Sequence, residues 1–220
     1  MKTSRTKIVY DYLYEQIVSH KLKPDDPIIE QDISSSLSCS RSPVREAIRI
    51  LAAEGLVRHI PARGAYISEI SIQDIEEIFS LRKMLELGAL KEGLRRISDE
   101  EIQEVENALT GLDQNSESDA FFNSDRLLHD MIVRNSGNKR LMQFLKMINA
   151  QIERVRRISA LRPQRLSNSK KEHLEIIQAI KARDIEQASK ILEEHIENVK
   201  LSCFEVLRIS PIGNREELRR

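Results

Sequence analysis

Apolar positions recur at helical spacing over most of this 220-residue chain. Residues 3–20 form the first amphipathic stretch. A short helix is predicted at 30–37 and a longer one at 41–54, with Ser40 as the N-cap of the longer helix and Gly55 just beyond its end. Two short helices joined by a tight turn are typical of a helix-turn-helix, whose second helix can enter the major groove of DNA.

The segment after these helices has a strand-like pattern instead. Residues 56–60 and 65–67 are predicted to be strands, and the intervening residues contain Pro61 and Gly64, which favour a turn. The pattern therefore predicts a β-hairpin, which would complete a winged helix-turn-helix.

After Ile70 the helical period returns and continues almost to the last residues. The predicted helices lie at about 73–96, 98–112, 117–135, 138–160, 168–182 and 184–208. The predicted fold is mainly α: an N-terminal winged helix-turn-helix over residues 1–70 and a C-terminal all-α helical bundle over residues 73–208. Residues 209–220 hold Pro211, Gly213 and many charges, and are predicted to be a flexible tail.

Composition narrows the class of protein. Hydrophobic residues make up 40% of the chain and charged residues 32%, which is typical of a globular protein. No apolar run approaches the roughly 20 residues that span a bilayer, and no apolar stretch behind Met1 suggests a secretory signal. We therefore expect a cytoplasmic protein without a membrane partner, in which Cys39 and Cys203 are reduced. The formal net charge is zero, so any argument for DNA binding depends on where individual arginines lie.

Three arginines are spaced four residues apart on the predicted second helix of the helix-turn-helix. Arg41, Arg45 and Arg49 form one stripe, separate from the apolar face of the same helix. Such a stripe can reach phosphates and guanine edges, because a guanidinium pairs with guanine O6 and N7. The alternative is that the three arginines are simply solvated.

The residues around this helix resemble a known family. The run from Cys39 to Val57, CSRSPVREAIRILAAEGLV, resembles the signature of GntR-type regulators, and residues 61–67, PARGAYI, resemble their wing. The resemblance implies operator contacts at Arg41, Ser42, Arg45 and Gly64. With the neighbouring cations, the predicted DNA-binding residues are Arg41, Ser42, Arg45, Arg49, Arg63 and Gly64.

Two positions depart from the family pattern. Ser38 stands in the turn where the family usually has glycine, so that turn must be strained or altered. Gln31 stands where some members have a DNA-contacting arginine, which predicts a different operator preference. Neither departure changes the predicted fold.

The C-terminal half contains three of the five histidines, each on an apolar helix face. Asp125 and His129 are four residues apart on one predicted helix, and His173 and His195 lie on two others. Burying such groups unpaired would cost on the order of 1–3 kcal/mol each, and one metal ion would satisfy all four. The set suits zinc, nickel, manganese or iron. The alternative is that each histidine is a hydrogen-bonded core residue.

This half also resembles a known domain. The spacing from Asp125 to His129, the Ser-Gly-Asn at 136–138, and His173 and His195 are similar to the FCD effector domain of the FadR subfamily. The resemblance implies one divalent metal held by Asp125, His129, His173 and His195, with zinc as the first choice, and a small organic acid as effector.

Arg82 is a further candidate, because it lies on a helix that is apolar over much of its surface. A buried guanidinium requires an anion. That anion is either Glu86, one turn later on the same helix, or the carboxylate of an effector.

These observations lead to one main hypothesis and two alternatives. The main hypothesis is a homodimeric transcriptional repressor or activator that binds palindromic double-stranded operator DNA under control of a small carboxylate effector. One alternative is a metallohydrolase with an accessory DNA-binding module, although no general base stands beside the ligands. The other is a sensor for which the metal itself is the signal.

Overall fold

The structure is a computed structural model that describes residues 4–113 and 116–209. It divides into two compact units. The first contains the residues up to Ile75 together with Lys146–Arg157, and the second contains Glu76–Leu145 and the residues from Ile158 onward. The fold is a winged helix-turn-helix with an all-helical domain, so the predicted fold class is confirmed.

The first unit contains three helices and a small antiparallel sheet. The helices are α1 (Arg5–Val18), α2 (Glu30–Ser36) and α3 (Arg41–Ala53), and the strands are β1 (Pro27–Ile28), β2 (Val57–Ile60) and β3 (Gly64–Ile67). The order in the sheet is β1-β3-β2. The predicted hairpin is therefore confirmed as β2 and β3, while β1 was not predicted because two residues cannot display a period.

The apolar face of α3 organises the core of this unit. Val44, Ala47, Ile48 and Leu51 are buried, as the pattern of the sequence required. They belong to one cluster with apolar residues of α1, of the sheet and of the Lys146–Arg157 segment, namely Val9, Leu13, Ile17, Ile28, Leu56, Val57, Ala65, Ile67 and Ala150. This burial leaves the opposite face of α3 exposed.

The turn between α2 and α3 has the strained conformation that the sequence suggested. Ser38 has a φ of 48°, in the left-handed region that favours glycine. Ser40 occupies the N-cap position of α3 in extended conformation, but its side chain makes no capping hydrogen bond. The serine at position 40 therefore marks where the helix begins without contributing the usual cap.

The remaining regular elements of the described residues are helices. They are α4 (Ile72–Gly93), a 3-10 turn (Leu94–Arg96), α5 (Asp99–Thr110), α6 (Ser118–Asn135), α7 (Lys139–Ser159), α8 (Arg165–Lys181) and α9 (Ile185–Ile209). Every predicted helix is present, and α8 begins three residues earlier than predicted. The predicted tail lies outside the described residues from residue 210 on. No helix within 4–113 and 116–209 is long and apolar enough to cross a membrane.

Close packing at the end of α4 sets its position against α6. A Cβ at Gly93 would lie 2.7 Å from the backbone carbon of Asn135, so only glycine allows this approach. Arg96 donates to the carbonyl oxygen of Asn135 at 2.7 Å. The C-terminal ends of α4 and α6 therefore lie in direct contact.

Candidate metal centre and nucleic-acid interface

Four predicted ligands meet in the interior of the second unit. Asp125 and His129 come from α6, His173 from α8 and His195 from α9, and all four side chains are buried. One ligand atom from each lies within 4.8 Å of the others. The structure therefore brings together the whole set that the helical faces predicted.

The separations between these atoms fit a single metal ion. The Nε2 atoms of His173 and His195 are 3.2 Å apart, and Nε2 of His173 is 3.4 Å from Oδ1 of Asp125. Zinc–nitrogen bonds of about 2.0–2.1 Å in a tetrahedron would separate two ligand atoms by about 3.3 Å. Nitrogen and carboxylate oxygen donors at these distances suit zinc and also the later first-row metals.

The tautomer of His129 is determined by its two neighbours on α4. Nη2 of Arg82 lies 3.0 Å from Nε2 of His129, and Oε2 of Glu86 lies 2.6 Å from Nδ1. Because a guanidinium can only donate, Nε2 accepts, and Nδ1 carries the proton that it donates to Glu86. Nε2, which lies 3.8 Å from Oδ2 of Asp125, therefore carries the only lone pair of the ring, and a metal ion bound there would replace the Arg82 donor.

The orientation of His195 is also set by a hydrogen bond, in this case to a residue of α8. Its Nδ1 donates to Oε2 of Glu172 at 2.7 Å. Arg165 donates to both oxygens of Glu172, at 2.9 and 2.6 Å. Burial lowers the pKa of His195 to about 4, although the hydrogen bond to Glu172 opposes the shift. The imidazole is therefore neutral at pH 7, as a metal ligand must be.

Two of the carboxylates near the ligands are already paired with arginines. Burial raises the pKa of Glu86, but Arg82 and His129 outweigh that effect and lower it to about 2. Glu86 is therefore ionised and paired with Arg82, just as Glu172 is paired with Arg165. Asp125 adds a carboxylate beside the imidazoles, with Oδ1 3.4 Å from Nε2 of His173, and a divalent cation would match this set of donors.

The sequence pattern indicated the four ligands but only two of the four charged residues that orient them. The structure contains the ion pair between Arg82 and Glu86, at 2.7 Å, which the sequence offered as one of two interpretations of Arg82, while the contact of Arg82 with an effector stays a prediction. Glu172 and Arg165 were not predicted, because nothing in their spacing marks them as partners of His195. Glu172 directly precedes the predicted ligand His173, and this proximity was the one feature of the sequence that could have indicated a role at the site.

The predicted DNA-binding residues all belong to the first unit and are all exposed. Arg41, Ser42, Arg45 and Arg49 are exposed on α3, and Arg63 and Gly64 are exposed at the turn between β2 and β3. Gly64 has a φ of 100°, and a Cβ there would meet nothing within 4 Å. The tip of the wing is therefore open to a close approach of another molecule.

The arginines of α3 have defined partners. Gln31 accepts from Nε and Nη2 of Arg41, at 3.0 and 2.5 Å, and Glu30 accepts from Nε of Arg45 at 2.8 Å. The contact between Arg49 and Glu46, on the same helix, is longer at 3.5 Å. Two adjacent residues of α2 thus hold the first two arginines of the stripe.

Comparisons with known proteins agree with both halves of this description. Residues 5–67 match the family of bacterial regulatory proteins called the gntR family, and residues 77–198 match the FCD domain. The HTH-type transcriptional repressor RspR of Escherichia coli K12 is 24% identical over 201 residues, which cover 90% of this chain and 88% of that protein.

Solved structures are similar over most of the chain. Escherichia coli McbR/YncC superposes with a TM-score of 0.79 at 22% identity, covering 92% of this chain and 98% of that one. A Zn2+-bound FCD domain of TM0439, described as a transcriptional regulator, has a TM-score of 0.59 at 27% identity. It covers 65% of this chain and 100% of its own. These similarities establish the fold, and the second concerns a relative in which zinc is bound.

Proposed function

Because the chain belongs to the GntR family of bacterial regulatory proteins and carries an FCD domain, we propose that it is a homodimeric regulator whose operator binding responds to a small organic acid held at a metal ion. Its relatives are transcriptional regulators rather than enzymes. DNA binding and an FCD effector domain follow from the family. The metal, the class of effector and the dimer are the proposed parts.

Asp125, His129, His173 and His195 would hold the metal. Their separations and the orientation of His129 and His195 by Glu86 and Glu172 support this assignment. Zinc is the first choice because a related FCD domain binds Zn2+. When bound, the ion supplies a positive centre to which a carboxylate oxygen can coordinate.

The proposal of an acidic effector rests on Arg82. Its side chain is 1% exposed, and its Nη1 has no hydrogen-bond partner among the described residues. A buried guanidinium donor without an acceptor is costly, and a carboxylate would satisfy it. Since Nη2 lies 3.0 Å from Nε2 of His129, one anion could contact both Arg82 and the metal.

Electrostatics favour an anion over a neutral ligand at this position. A divalent cation exceeds the single charge of Asp125, and the pairs of Arg82 with Glu86 and Arg165 with Glu172 are each neutral. The occupied centre would therefore carry an excess positive charge in a buried environment, where charge interactions are strong.

The DNA-binding surface consists of Arg41, Ser42, Arg45 and Arg49 on α3, with Arg63 and Gly64 on the wing. In this arrangement α3 would lie in the major groove, and two copies related by a two-fold axis would read a palindrome. Arg45→Ala is expected to abolish operator binding without changing the circular dichroism spectrum. An unchanged affinity in a gel-shift assay would remove Arg45 from the interface.

The effector proposal is tested by metal analysis combined with DNA binding. We expect about one transition metal per chain, lost in the triple variant His129→Ala, His173→Ala, His195→Ala. Acetate, malonate, malate and citrate would then be screened for a metal-dependent change in operator affinity. The variant Arg82→Gln/Glu86→Gln removes both charges of the pair but keeps amide hydrogen bonds, and it should retain metal and lose the response.

Two other outcomes would contradict the proposal of an effector held at the metal. If the metal alone changed operator affinity and no acid added to the change, the protein would be a metal sensor. If neither the wild type nor the protein incubated with zinc, nickel or manganese contained metal, the three histidines would be core or ligand-binding residues.

A further inference from the structure

We propose that Glu30 and Gln31 of α2 determine operator specificity by positioning the two arginines of α3 that read the DNA. This inference rests on the proposed contacts of Arg41 and Arg45 with the operator. Glu30 and Gln31 act as positioning residues in this scheme.

The register between the two helices is the first observation. Gln31 holds Arg41 and Glu30 holds Arg45, so neighbouring residues on α2 each contact one of two arginines that are one turn apart on α3. Arg49, one turn further, has no such partner on α2 and contacts Glu46 of its own helix at 3.5 Å. The restraint is therefore confined to the N-terminal half of α3.

The atoms involved are the second observation. Glu30 accepts from Nε of Arg45, and Gln31 accepts from Nε and Nη2 of Arg41. A guanidinium has five N–H donors in a planar fork. The contacts from α2 engage Nε of Arg45, and Nε together with one N–H of Nη2 in Arg41. Nη1 of both arginines, Nη2 of Arg45 and the second N–H of Nη2 in Arg41 are left for an approaching duplex. Guanine O6 and N7 can accept from these groups as a pair.

These contacts contribute little to the stability of the free protein. The side chains of Arg45 and Glu30 are 60% and 34% exposed, and exposed pairs are weak in water. Their effect is expected when DNA excludes the solvent, because a restrained arginine loses less side-chain freedom when it pairs with a base.

The charge of Glu30 adds a second contribution to specificity. A carboxylate beside Arg45 opposes close approach of phosphates when the protein lies on unrelated DNA. When the protein is bound to its operator, the pairing of Arg45 with guanine compensates for that repulsion. Contacts that penalise the wrong partner increase discrimination even when they reduce affinity in general.

The test uses the full-length protein and two duplexes. The first duplex is selected from a random-sequence pool by the wild-type protein, and the second is a scrambled version of the same length and composition. Affinities for both are measured by fluorescence anisotropy for the wild type and for Glu30→Ala, Glu30→Gln and Gln31→Ala. Asp32→Ala is the matched control, because Asp32 is an exposed acid on α2 outside the contacts with Arg41 and Arg45.

We expect Glu30→Ala and Gln31→Ala to lower the ratio of the two affinities by about tenfold, which is within the discrimination that one bidentate base contact supplies. Glu30→Gln, which keeps an acceptor oxygen, should show a smaller loss. Asp32→Ala should strengthen binding to both duplexes equally and leave the ratio unchanged.

Two results would overturn the inference. An unchanged ratio in Glu30→Ala, with operator binding lost in Arg45→Ala, would leave the proposed function intact and remove the role of Glu30. If Glu30→Ala bound the operator more tightly while the ratio of the affinities for the two duplexes stayed the same, Glu30 would only weaken the binding of Arg45 to DNA in general. Operator binding that survives in Arg45→Ala would instead contradict the proposed function.

Discussion

Arg82 donates through Nη2 to Nε2 of His129 at 3.0 Å, and Nε2 is the nitrogen of His129 that faces the other predicted metal ligands. The same guanidinium pairs with Glu86, whose other oxygen accepts from Nδ1 of His129. The three side chains therefore form a closed hydrogen-bonded ring between α4 and α6. This ring determines both the tautomer of His129 and the direction in which Arg82 points.

Removing Arg82 alone should be strongly destabilising. Arg82→Ala would leave Glu86, which is 3% exposed, without its guanidinium. Breaking a buried pair from one side typically costs about 3–5 kcal/mol. We expect a loss of that size in the free energy of unfolding, measured by urea denaturation at pH 7. The double variant Arg82→Ala/Glu86→Gln should recover part of the loss. A loss below about 1 kcal/mol, typical of a surface pair, would contradict the buried pairing.

Glu172 should affect metal affinity although it does not contact the metal. It accepts from Nδ1 of His195 and is itself held by Arg165. Loss of such an orienting partner typically weakens metal binding by about 10–100-fold, which is what we expect for Glu172→Ala in a zinc titration against a competing chelator. Glu175→Ala, an exposed acid on the same helix, should leave the affinity unchanged. Equal affinities in the two variants would show that Glu172 does not orient His195.

Replacing Ser38 by glycine should stabilise the first unit. Ser38 has a φ of 48°, which costs an L-residue roughly 1 kcal/mol and glycine almost nothing. We expect Ser38→Gly to raise the free energy of unfolding by about 1 kcal/mol. The control Ser36→Gly places glycine at a helical position and should lower it instead. A decrease for Ser38→Gly in thermal denaturation would mean that the hydroxyl has a compensating role.

His20 should make stability depend on pH. Burial lowers its pKa to about 4, with further lowering by Arg154 and Arg157, and its Nε2 is buried without a hydrogen-bond partner among the described residues. The unfolded chain, with a pKa near 6.5, therefore binds more protons between pH 6.5 and 4. This contribution to stability is complete above pH 6.5 and is lost as the pH falls towards 4.

The variant His20→Asn isolates this contribution. Asparagine tolerates the left-handed backbone of residue 20, where φ is 58°. The difference in unfolding free energy between pH 7.5 and pH 4.5 should be about 1–2 kcal/mol smaller in the variant than in the wild type, since the ring is partly exposed. All other residues are the same in the two proteins, so their contributions cancel in the comparison. An identical difference in both proteins would exclude His20 as a source of the acid sensitivity.

Local periodicity determined most of the elements and the faces that their residues occupy. Asp125 and His129 share a face of α6 because they are four residues apart, and the apolar face of α3 left Arg41, Arg45 and Arg49 exposed. The sequence did not predict β1, because this strand has only two residues and is defined by its pairing with β3.

The sequence by itself determined which side chains point inward, since that depends on the geometry of a single helix. Only the tertiary structure decided which of them meet. The packing of α8 against α9 brings His173 within 3.2 Å of His195, and the approach of α4 to α6 places Arg82 and Glu86 on either side of His129. The same applies to Glu30 and Gln31, whose contacts with α3 depend on how the turn that contains Ser38 places α2 beside α3. Distances between residues far apart in the chain depend on how whole helices pack, and no local period contains that information.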